Sequence, residues 1–182
     1  MVGVIQIEDE GATMAGYDEG SAMRAEELMA WNDDAARRWR AFARANPAVL
    51  SVPCDISRAK TVGELLQHVC AVELRYAERL SGMPATDYSA LPFGTADEIF
   101  QTHDRAMELF RQLLARDDFD WAEKIEFPTL TAGALRAPRR AILFHALLHA
   151  IRHYAQLSTL VRQAGFPTGI VGDYLFMDAE RI

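Results

Sequence analysis

Three histidines, His145, His149 and His153, recur every four residues inside the run AILFHALLHAIRHYAQLSTLV. In a helix four residues make about one turn, so the three rings share one stripe. Their neighbours are Leu, Ile, Phe and Ala, which a soluble chain must largely bury. Neutral imidazole is the commonest protein metal ligand. Grouping several polar rings in an apolar setting is costly unless they bind something. The chemistry this spacing offers is metal ligation.

His145 and His153 stand two turns apart, roughly 12 Å along the axis, too far for one ion to be held directly by both. The chelating pair is therefore His145/His149 or His149/His153, and a third ligand has to come from another helix. His68 is the first candidate, because it shares an inward stripe with Leu65, Ala71 and Val72. His103, on the stripe of Ile99, Ala106 and Phe110, is the second, set against the ordinary fate of a hydrogen-bonded core histidine.

Several metal chemistries are excluded. Ala150 stands where an HExxH peptidase needs its glutamate. No ExxH pair of the carboxylate di-iron kind is present. Cys70, two residues from His68, is turned about 200° away on the same helix. No Walker loop, GxGxxG or GxSxG motif occurs.

Around the histidines, Gln156 lies on the stripe of His153 and can orient a ligand ring, or simply occupy the bundle rim. Arg152 can grip a substrate carboxylate, though a snorkelling or ion-paired arginine is the more ordinary outcome. Glu64 is explained as a helix cap, and Glu73, turned away from His68, is expected at the surface. Trp31 and Trp39 are read as packing residues, and Asn32 has no assigned role.

Four helical segments must position these groups. The first runs from Ser21 to about Asn46, where Asn46-Pro47 stops it; Leu28, Trp31, Ala35, Trp39 and Phe42 form its apolar face. The second opens on Thr61-Val-Gly-Glu64 and the third on Thr95-Ala-Asp-Glu98, both in capping-box form. The second ends at Ser81-Gly82 and the third near Arg116. Between Phe119 and Pro138 a small hairpin is expected around Thr-Ala-Gly. The last helix begins near Pro138 and ends at Gly165. Its Leu143, Phe144, Leu147, Leu148, Ile151 and Leu157 lie nearly all round it, which predicts burial on every side, either at the centre of the bundle or at a homodimer face. The residues after Pro167 are expected to fold back through Tyr174, Phe176 and Met177. The fold class is all-α, a four-helix bundle with a short irregular or hairpin segment before the last helix.

The 182 residues suit one domain, residues 21–182, preceded by a mobile acidic tail over residues 1–20. A net charge of −7 argues against nucleic acid as partner while leaving room for a local anion pocket. Cys54 and Cys70 suggest no disulfide framework. No secretory leader or membrane span is visible, so the expected setting is cytoplasmic.

Taken together, Trp31-Asn32, the LLQH segment ending at His68, and the closing HALLHAIRHYAQLSTLVRQAGFP resemble the DinB-like (DinB/YfiT) family of bacterial metal-binding four-helix bundles. The resemblance covers roughly residues 21–170. It implies His68, His149 and His153 as ligands, with Gln156 as a trailing glutamine. Tyr154-Ala155 departs from the Arg-Gly usual after the last ligand.

The resemblance further implies a divalent transition metal, zinc or nickel first, with iron or manganese compatible. Three neutral ligands with an open position are the catalytic pattern for zinc. It also implies a homodimer, and enzymes that act with a low-molecular-weight thiol such as mycothiol or bacillithiol. A thiol-dependent transferase or a hydrolase is therefore expected. The alternatives are a non-catalytic metal-binding module and a metal-free bundle serving as a stress-related interaction protein.

Overall fold

Four amphipathic stretches become four helices: α1 (Ala25–Ala45), α2 (Val62–Leu80), α3 (Ala96–Leu114) and α4 (Arg139–Gln163). A two-stranded antiparallel hairpin, β1 (Lys124–Thr129) and β2 (Gly133–Pro138), precedes α4 and pairs Phe127 with Leu135. The computed structural model describes residues 23–129, 133–177 and 179. The expected acidic tail lies outside them.

Local chemistry accounts for the helix ends. In α3 the capping box forms as read: Glu98 N–H donates to Thr95 Oγ1 (3.2 Å) and Thr95 N–H to Glu98 Oε2 (2.9 Å). In α2 it is displaced by one residue. Glu64 N–H donates to Thr61 Oγ1, but the Glu64 carboxylate accepts from Lys60 N–H (2.7 Å). The start of α1 falls at Ala25 rather than Ser21, with Glu27 accepting from Arg24 N–H. Helices α2 and α4 stop at glycines in the left-handed region, Gly82 (φ 71°) and Gly165 (φ 88°).

Two clusters fill the core. One joins Trp39, Leu65, Leu66, Phe100 and Leu157, and the other Leu74, Met107, Phe110, Leu143 and Leu147. Their membership fixes the directions of the helices. The first halves of α2 and α3 meet the second halves of α1 and α4, so α2 and α3 run parallel to each other and antiparallel to α1 and α4. The link from α2 to α3 must therefore travel back along the bundle. Glu78 accepts from Thr86 N–H and Gln67 donates to Leu91 O, tying that link to α2 at both ends.

One expectation is met only in part within a single copy of the chain, and one needs correction. Helix α4 is not covered on every side: Leu143, Leu147 and Leu157 are buried, but Leu148 is 49 % exposed and Phe144 and Ile151 are only partly covered. Its main packing partners are α1, α2 and β2, and Leu148 lies on a side that they leave uncovered. Glu73 is not a surface charge but fully buried. It does lie about 140° round α2 from His68, yet that direction points between α1 and α3. There it accepts from Asn32 Nδ2 (2.5 Å) and meets His103 Nδ1 at 2.7 Å, while His103 Nε2 meets Asp33 Oδ1 at 3.0 Å. Arg111 closes the chain on Asp33. Among the closing residues, Trp31 Nε1 donates to Gly172 O and meets Tyr174 edge-on, whereas Phe176 points outward at 55 % exposure.

Burial of the His103 ring opposes its charge, but Glu73 and Asp33 outweigh it and raise the ring to about 10. The ring is therefore a cation locked between two acids. Below the ordinary imidazole value of about 6.5 it is charged both folded and unfolded, and its full contribution to stability is present. As pH climbs toward 10 the unfolded chain alone releases the proton, and that contribution drains away. Urea unfolding should thus show declining stability from neutral to pH 10. Glu73→Ala, which takes away the buried partner and leaves the cation with the half-exposed Asp33 alone, should cost about 3 kcal/mol at neutral pH. A variant as stable as the parent would contradict the buried pairing.

Candidate metal centre

His68 on α2 and His149 and His153 on α4 face one another across the interface of the two helices. Ring centroids stand 5.1 Å apart for His68–His149, 5.4 Å for His68–His153 and 4.4 Å for His149–His153. Each ring offers one nitrogen to a group in which all ligand atoms lie within 4.8 Å of one another. Two nitrogens on a tetrahedral zinc stand about 3.4 Å apart, so small ring rotations suffice to converge the three. Neighbouring turns of α4 supply two ligands on one stripe. The apolar residues flanking them, Leu65 and Ala150 among others, press the helices together.

The protons are arranged to leave lone pairs facing inward. His153 Nδ1 lies 2.7 Å from Gln156 Oε1, an acceptor, so the proton sits on Nδ1 and Nε2 carries the lone pair. That Nε2 is 3.1 Å from His149 Nε2. Two ring nitrogens this close need a proton or a cation between them. His149 Nδ1 is buried with no hydrogen-bond partner among the described residues.

Burial drives His149 down to about 2, with help from His153, His68 and Arg152. Burial, His68 and Arg152 take His153 to about 4 despite Gln156. His68 and His145 are lowered as well, by burial and then by Arg152. Neutral imidazoles of this kind are what a divalent ion requires. The donor set fits such an ion.

The other sequence candidates fall into place around this group. Gln156 contacts the His153 ring through its Oε1. The Arg152 guanidinium reaches within 3.3 Å of His153 Nε2 and has no carboxylate partner among the described residues. His145 is exposed and packs edge-on to Tyr76, with its ring 5.8 Å from that of His149. It lies beside the group rather than in it. His103, weighed as the alternative third ligand, has both ring nitrogens committed to Glu73 and Asp33 and is not among the converging residues.

A cavity of about 690 Å³ opens onto His68 and His149 between α2, α4, the returning link and the hairpin. The sequence reading missed most of its wall, including Arg75, Arg79, Tyr76 and Tyr88. One signal was available: Arg75 follows His68 by seven residues, two turns along the same face of α2.

The fold and the site define a helical-bundle protein with three histidines grouped so that they could hold a metal ion. Residues 19–181 match the DinB family, and the chain belongs to that family. Comparison with curated proteins returned no match to it.

In the metal-free protein, nitrogen-resolved NMR of the imidazoles should find His153 as the Nδ1–H tautomer, taking its second proton only near pH 4. A ring titrating at the ordinary value of 6.5 would rule out the inward lone pair described here.

Proposed function

We propose that this chain holds one divalent transition metal on His68, His149 and His153 and uses it catalytically, as a thiol-dependent transferase or a hydrolase. The observation that carries the reading is the convergence of three neutral imidazoles, two of which, His68 and His149, line a cavity large enough for a small molecule. Zinc and nickel are the favoured ions, with iron or manganese compatible with the same donors. A bound ion would supply Lewis-acid charge, lowering the pKa of a water or a low-molecular-weight thiol set against it.

The residues divide the remaining work. Gln156 holds the His153 proton on Nδ1 and so fixes the ring's orientation. Burial keeps the imidazoles neutral. Arg152, beside the ligands and free of acids among the described residues, attracts an anionic group of the substrate. A non-catalytic metal-binding or interaction module would suit a site closed by its ligands, and the cavity against His68 and His149 favours turnover instead.

We extend the proposal to a cytoplasmic setting, in keeping with two unpaired cysteines, and to a homodimer. The half-exposed Leu148, next to the partly covered Phe144 and Ile151, is where a second copy would rest. Among the described residues no helix is long and apolar enough to cross a membrane.

Elemental analysis of protein purified without a polyhistidine tag should find about one transition metal per chain. His68→Ala and His149→Ala should each abolish it while leaving helical content largely intact, and His145→Ala should matter much less. Stoichiometric metal in His149→Ala would overturn the ligand assignment. Gln156→Leu should keep the metal but bind it about ten- to a hundredfold more weakly in a competition titration. An unchanged affinity would remove the orienting role from Gln156.

A further inference from the structure

The cavity beside the histidines is unusual for so acidic a chain. Net charge is −7 overall, yet Arg58, Arg75, Arg79 and Arg152 all line this one space. Glu64 is the one acid among its described lining residues, and its carboxylate is engaged by Lys60 N–H. None of the four arginines has a carboxylate within ion-pair distance among the described residues, whereas Arg40, Arg44, Arg111 and Arg116 elsewhere all do.

Arg79 is half-covered, with its guanidinium 4.9 Å from the Phe127 ring centroid and 5.7 Å from that of Tyr76. Burial pushes it below its ordinary value; Tyr76 opposes that shift and the neighbouring Arg75 charge adds to it. Like charges held together on a partly dry wall favour an anion between them. The loop that brings Arg58 to the cavity is held in the left-handed region at two successive non-glycine residues, Ser57 (φ 53°) and Arg58 (φ 66°). Strain of that kind gathers at ligand clamps.

The spacing gives the occupant a length. Arg75 stands two turns of α2 beyond His68, about 10 Å along the axis, and Arg79 a turn further. Arg152 lies at the histidine end. Tyr76, Tyr88 and Phe93 line the wall as well, and His68 packs 6.5 Å from the Tyr88 ring.

We infer that this cavity takes an elongated small molecule that carries a carboxylate-type oxyanion at the end remote from the histidines, gripped by Arg75 and Arg79, with its carbon body against the tyrosines. The reacting end is placed by the metal-site reading, on which the inference rests. The arginine wall can be tested apart from it.

Terephthalate, benzoate and benzamide are titrated calorimetrically into the full chain, metal-free and zinc-loaded, at constant ionic strength. Terephthalate should bind most tightly and benzamide least, in both forms. Arg75→Gln/Arg79→Gln should lose at least tenfold in terephthalate affinity, with benzamide binding, helical content and zinc stoichiometry unchanged. Arg58→Gln, which leaves the helices untouched, should lose affinity in the same direction. The inference is overturned if terephthalate binds no better than benzamide, or if both arginine variants bind it like the parent. It is also overturned if terephthalate binds only to the zinc-loaded form, since the anion would then be sitting on the metal. A chain that takes up no zinc but keeps the terephthalate preference would sink the metal reading and support the arginine wall.

Discussion

Helix α2 is held from two sides by polar groups of opposite kind, and the site depends on that placement. On one side Glu73 is buried against Asn32 of α1 and His103 of α3, an ionic contact that fixes three helices to one another. On the other side His68 meets the histidines of α4. The two residues are five apart, about 140° round the helix. A charged pair in the interior is an expensive way to hold helices together, and its strength lies in tolerating few alternative arrangements. Rotating α2 to relieve Glu73 would swing His68 out of reach of His149 and His153.

The same helix joins the histidines to the arginine wall. Neutral imidazole ligands would leave the charge of a divalent ion uncompensated, and Arg152 would add another positive charge beside it. An anionic partner would relieve both. Farther along α2, Arg75 and Arg79 extend the positive surface away from the histidines. The electrostatics of the cavity thus run opposite to those of the whole chain, and a low-dielectric wall of tyrosine and phenylalanine strengthens the field inside it.

Much of this was legible in the sequence because it is periodic. Four-residue spacing put His149 and His153 on one stripe, and apolar neighbours turned His68 inward. The capping residues at Thr61 and Thr95 located two helix starts to within a residue. The rest depends on contacts between distant segments. Glu73 looks like any surface acid until the parallel course of α2 and α3 brings His103 beside it. That course follows from the long returning link after Gly82, for which no short-range signal exists. Arg58 reaches the cavity through a strained loop, and the Arg75–Arg79 pair reads along α2 as an ordinary solvated face. Helix α4 is another case: its apolar residues surround it, but within one copy of the chain its main packing partners, α1, α2 and β2, leave Leu148 exposed.

Absorption fine structure at the zinc edge of the loaded protein would test the central claim most directly. Three imidazole ligands should appear with nitrogen at about 2.0–2.1 Å, together with a light atom from solvent or buffer. A sulfur ligand near 2.3 Å, or fewer than three imidazoles, would contradict the site formed by His68, His149 and His153.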